Sequence, residues 1–152
     1  MNYKFLTIDD SNRESALKVI NSIVEQAFAA DAEQLFDKYP YKKNDLRTGM
    51  MLIIFYSDCD TLIGFGLLGI MESDTLYLHN IYINKQHRSG ALLMVNEILC
   101  TALKPLRVKR LMMFVDVNAV ALLYRFTQHG WRIAGKNLRG KNHTYDLVEL
   151  TL

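Results

Sequence analysis

Cysteine is nearly absent from this chain. Cys59 sits in the turn-like Ser57-Asp58-Cys59-Asp60 and Cys100 in an apolar helical stretch. Neither their number nor their spacing suits a disulfide framework or a zinc site, and a reducing cytoplasm is the expectation. An excess of one charge is missing as well: 18 basic residues against 16 acidic ones leave a formal charge of +2. That balance is too even to argue by itself for nucleic acid or an anionic membrane surface as a partner. No apolar run approaches the length of a membrane span. The beginning, Met1-Asn2-Tyr3-Lys4, alternates like a strand and lacks the basic stretch and apolar block of a signal peptide. Linkers, low-complexity tracts and internal repeats are also lacking, so the 152 residues read as one domain.

What is plentiful is apolar side chain. Such residues make up 50% of the chain, enough for one substantial core. Tyr3–Ile8 alternates as a first strand. Ser11 and Glu14 have capping-box spacing, and Ala16, Val19, Ile20, Ile23, Val24 and Ala27 line one face of a helix running to about Phe28. Asp31 starts a second helix through Leu35 and Phe36, which Tyr39-Pro40 interrupts. After a polar, basic loop, Met51–Tyr56 and Leu62–Met71 form an antiparallel hairpin. No helix starts among Gly64, Gly66 and Gly69, so these glycines serve close packing or a bend and not phosphate binding.

Thr75–Ile83 is the next strand. Leu76 and Leu78 have the opposite parity to Ile81 and Ile83, which predicts a β-bulge near His79-Asn80. Gly90 opens a helix carried by Leu92, Val95, Leu99, Ala102 and Leu103 until Pro105, and Lys109–Val117 is a strand. Asn118 then reads as an N-cap; Ala119, Leu122, Leu123 and Phe126 recur at helical spacing, and Gly130 ends the helix. Trp131–Ala134 and Thr144–Leu150 are the last strands, around a basic loop Lys136–His143. The fold class is α+β, with a mixed, mostly antiparallel central sheet and helices on both faces.

This order spans nearly the whole chain. With Asn118, Ala121, Tyr124 and Gly130 followed by an aromatic residue, it resembles the GCN5-related N-acetyltransferases, the GNAT family. The resemblance implies acetyl-coenzyme A as cosubstrate and transfer of its acetyl group to a primary amine, by direct attack in a ternary complex. It implies that Thr75–Ile83 and Lys109–Val117 splay to admit the pantetheine arm, held by the backbone of Ile81, Tyr82 and Ile83. It also puts the pyrophosphate at Arg88, Ser89, Gly90 and Ala91, a helix start whose free amides suit an anion. Asn118 and Tyr124 would touch the coenzyme, with Tyr124 as general acid toward the departing thiolate. One departure from the family pattern stands out: Gly90 lies two residues after Arg88 and four after Gln86, and the loop has a single glycine.

An amine acceptor must be neutral to attack, whereas a lysine amine has a pKa near ~10.4. His79, at the expected bulge, is the leading base, with Asp116 and then Glu72 in reserve. Phe36, Tyr39 and Tyr41, within the segment Phe28–Arg47, would line the acceptor entrance. The acceptor itself, a small molecule or a protein, stays open. His87, His129 and His143 lack metal-ligand spacing, so no metal site is expected. Two basic clusters, around Arg107 and around Arg139, read as solvated faces, and without aromatic interleaving they do not indicate nucleic acid. Exposed apolar strand edges near the C-terminus favour a homodimer. The alternative to an enzyme is a binding module of the same fold, with weak or no catalysis, contacting another macromolecule.

Overall fold

The computed structural model describes residues 1–30 and 41–152. The second helix predicted from Asp31, with Phe36 and Tyr39, lies outside the described residues. Seven strands form one sheet: β1 (Asn2–Thr7), β2 (Met51–Tyr56), β3 (Leu62–Glu72), β4 (Thr75–Ile83), β5 (Arg110–Asp116), β6 (Arg132–Arg139) and β7 (Thr144–Thr151), in the order β1-β2-β3-β4-β5-β7-β6. β1 with β2, β2 with β3, β5 with β7 and β6 with β7 pair antiparallel, and β4 with β5 pairs parallel. The described α-helices are α1 (Arg13–Ala30), α2 (Ala91–Leu103) and α3 (Val120–Gln128). Among the described residues no helix is long and apolar enough to cross a membrane. Contacts divide the chain into two compact units, Met1–Gly69 with Asn80–Ser89, and Ile70–His79 with Gly90–Leu152.

In the first unit, α1 buries the predicted stripe of Ala16, Ile20, Ile23, Val24 and Ala27 in one cluster with Leu52, Ile54, Phe65, Leu67 and Tyr82. Its start differs from the expected Ser11–Glu14 box. Asp9 Oδ1 accepts the Asn12 amide at 3.0 Å and Asn12 Oδ1 accepts the Asp9 amide at 2.9 Å, so the reciprocal cap lies two residues upstream. Ser11 instead donates its hydroxyl to Asp9, which competes better for it because the carboxylate is charged. Gly64 is where the backbone needs a glycine: a Cβ there would collide with the Tyr82 carbonyl oxygen and press on Ile83. Ile83 thus buries into the space Gly64 leaves, and Tyr82 beside it is buried in the α1 cluster.

In the second unit, α2 buries Ala91, Val95, Leu99 and Leu103 at four-residue spacing. Leu76 pairs Leu111, and Leu111 pairs Leu150, so these three buried leucines share one face of the sheet. The first half of the basic loop expected at Lys136–His143 is strand: β6 runs to Arg139, with register shifts between Ile133 and Gly135 and between Gly135 and Leu138. Asn137 takes a positive φ of 54° and donates its amide to Asp146, which lets an irregular, polar sequence stay paired.

Candidate functional site

The residues singled out by the resemblance fall in both units. In the first, Ile81 is half-buried, and Tyr82 and Ile83 are buried. The Tyr82 ring belongs to the core cluster, so its side chain cannot receive a ligand and any binding role rests on its backbone. Asn84 N–H donates to the Ile63 carbonyl and Asn84 Oδ1 caps a short 3-10 turn, Lys85–His87, that was not predicted. Arg88 turns back on its own strand: its Nε donates to the Ile83 carbonyl at 2.8 Å and its guanidinium lies 5.3 Å from the Tyr82 ring centroid. Ser89 is exposed. Tyr41, expected at the acceptor entrance, is instead buried. Its ring packs edge-on against Phe65, its backbone exchanges two hydrogen bonds with the Asn21 side chain, and its hydroxyl accepts from Asn80 Nδ2 at 2.8 Å.

In the second unit, Gly90 has φ 69°, caps α2 and is followed by the buried Ala91. The first amides of a helix have no partner within it, so this start has donors for an anion. β5 leads into α3 through a turn organised by Asp116, not by Asn118 as expected. Asp116 Oδ1 accepts the Asn118 amide at 2.8 Å, its carbonyl accepts the Ala119 amide, and Ala119 is the residue at the cap position, without a side-chain bond. Asn118 is exposed. At the far end of α3 the predicted glycine stop is present. Gly130 has φ 89°, the Trp131 amide reaches back to the Phe126 carbonyl, and the two rings meet at 5.0 Å, which makes a Schellman motif with its apolar contact. Only Phe126 of α3 is buried, and Tyr124 is 63% exposed.

Two groupings escaped the sequence reading. Asn96, buried in mid-helix, accepts from Trp131 Nε1 at 3.1 Å and donates to the His129 carbonyl at 3.0 Å, tying α2 to the end of α3. His143 Nδ1 lies 2.8 Å from Asp116 Oδ2. From there rings follow one another: His143 to Tyr145 at 6.1 Å, Tyr145 to Phe114 at 6.2 Å, Phe114 to Tyr77 at 5.5 Å and Tyr77 to His79 at 4.5 Å. His79 is exposed. Burial, with Tyr145 beside it, pushes the Tyr77 phenol above its ordinary pKa. Burial also pushes the Cys100 thiol up, opposite to what a nucleophile needs. Only the pattern of aromatic residues on three strands hinted at the ring sequence; its register was not readable.

No sequence family and no curated protein matches the chain. Solved structures do. A GNAT family acetyltransferase from Elizabethkingia anophelis with acetyl-CoA bound aligns at TM-score 0.61 and 14% identity, covering 99% of both chains. A spermidine N-acetyltransferase chimera from Vibrio cholerae aligns at TM-score 0.68 and 12% identity over 99% of this chain and 96% of that one. The ribosomal-protein-S18-alanine N-acetyltransferase from Escherichia coli gives TM-score 0.60 and 14% identity over 99% and 94%. At such identities the likeness speaks for architecture: a mixed seven-stranded sheet with these helices is the fold of the GCN5-related N-acetyltransferases, and this chain has it.

Proposed function

We propose that this protein is an acetyl-coenzyme A-dependent N-acetyltransferase in which a primary amine attacks the thioester directly in a ternary complex. The observation that carries the reading is Tyr124, an exposed phenol on a helix whose end is pinned by a Schellman motif, in a chain with the GNAT fold. In the reaction a bond forms between the amine nitrogen and the acetyl carbon while the carbon–sulfur bond breaks. His79 takes one proton from the ammonium, the Tyr124 hydroxyl protonates the departing thiolate, and the second proton that nitrogen loses as the amide forms restores Tyr124 through solvent. The backbone of Ile81, Tyr82 and Ile83 holds the pantetheine arm. Ser89, Gly90 and Ala91 receive the pyrophosphate at the α2 start, with Arg88 adding charge, and Asn118 contacts the coenzyme. Juxtaposition of the two reactants supplies most of the acceleration, on the order of 7–11 kcal/mol in favourable cases.

The acceptor is an amine-bearing small molecule or protein; spermidine in one structural neighbour and a ribosomal-protein alanine in another span that range. β6, the outermost strand of the sheet order, exposes Ile133 and Leu138, which supports a homodimer and is checked by sedimentation. One observation favours the second reading, a binding module: Arg88 already serves Ile83 and Tyr82, so coenzyme phosphates must compete for it. Calorimetry with acetyl-coenzyme A decides between them. Saturable heat, with thiol release in the presence of amines, is expected; no binding at millimolar coenzyme defeats the enzyme reading and leaves the module.

A further inference from the structure

We propose that the ring strip of β4, β5 and β7, ended by the Asp116–His143 pair, is the acceptor subsite and takes a primary amine carried on an aromatic or bulky apolar body. The inference rests on the acetyltransferase reading and gives the acceptor its chemical class.

Strand register builds the strip. Tyr77 pairs Met112, Phe114 pairs Leu147 and Asp116 pairs Tyr145, so Tyr77, Phe114, Asp116 and Tyr145 all stand on the face opposite the buried row of Leu76, Leu111 and Leu150. β5 is an interior strand, flanked by β4 and β7, yet Phe114 near its end is 37% exposed while Leu111 and Val115 on the other face are buried. An aromatic side chain left accessible between two half-buried rings, Tyr77 and Tyr145, is a surface that gains by being covered. Ring faces carry negative potential, which attracts an ammonium within about 6 Å of a centroid. At the strip's end Asp116 adds a carboxylate, whose Oδ2 lies 2.8 Å from His143 Nδ1. Apolar rings ending in a carboxylate complement a cation on an apolar body. They repel an acidic acceptor. At the opposite end the His79 ring stacks edge-on against Tyr77, so the base of the reaction borders the same strip.

The test is aromatic NMR of the full chain titrated with 2-phenylethylamine, with spermidine and with a short peptide bearing a free N-terminus, each with and without coenzyme A. Saturable shifts of the Tyr77, Phe114 and Tyr145 rings are expected with 2-phenylethylamine, at an affinity about tenfold above the other two, and Phe114→Ala should weaken it about tenfold. Phe114→Leu keeps apolar volume but removes the ring face and serves if the alanine variant is unstable; it too should bind more weakly. No saturable ring shift in either condition, equal affinity across the three amines, or wild-type binding by Phe114→Leu overturns the proposal. Amine bound at these rings by a chain that takes no acetyl-coenzyme A in calorimetry overturns the transferase reading alone, and coenzyme turnover without amine at the rings overturns the subsite alone.

Discussion

Tyr124 has the one property a general acid in this fold cannot do without, which is access. Its side chain projects from a helix that buries only Phe126, so removing the hydroxyl changes no packing. Tyr124→Phe should therefore lower turnover about 100-fold when thiolate departure limits the rate, with coenzyme affinity intact. Unchanged single-turnover rates would remove Tyr124 from the reaction. Gly64 is constrained by contact instead of chemistry. Because the obstacles to a Cβ are the Tyr82 carbonyl and the Ile83 backbone, which cannot rotate aside, Gly64→Ala should cost about 1–3 kcal/mol in chemical denaturation. Asn118 shows how a residue type can mislead. It is a common N-cap, but Asp116 stands two residues earlier, and its charged oxygen captures the Asn118 amide and sets the turn.

Helix ends here are held by polar groups whose partners differ in reach. At the start of α1 the bonds are local. The Ser11 hydroxyl bond first, then the Asn12 and Ser11 amides, hold the Asp9 carboxyl below its usual range. A carboxyl depressed on folding contributes stability above its unfolded pKa and loses it as pH falls through the folded one. The stability gap between wild type and Asp9→Ala should accordingly be widest near neutrality and narrow below about pH 4, which urea titrations at several pH values would read. A gap independent of pH would mean the charge of Asp9 contributes nothing. At the end of α3 the key bonds are long-range, since Asn96 on α2 serves both the Trp131 ring and the His129 carbonyl. Asn96→Ala removes both bonds and leaves the buried Trp131 Nε1 without its partner, at about 1–3 kcal/mol for that group. Denaturation followed by the fluorescence of Trp131, the single tryptophan, measures the loss directly.

A ligand that binds only the folded chain raises its melting temperature by mass action. Acetyl-coenzyme A at a hundredfold excess over its dissociation constant should add about 2.7 kcal/mol, read as a concentration-dependent thermal shift that free adenine does not reproduce. The amino-acid order alone was enough for β2 and β4, whose residues match the predicted runs, for the α1 stripe and for the Gly130 stop. Each depends on periodicity or turn chemistry within a few residues, so the information is local. It sufficed as well for the α+β class, because element order limits the ways apolar faces can be buried. Everything that required knowing which strand lies beside which was decided by tertiary structure: Tyr41 in the core, the Asn96 bridge, the Asp116–His143 pair and the ring strip. Register sets those contacts, and register follows from burial summed over the whole sheet, a quantity no short stretch of sequence contains.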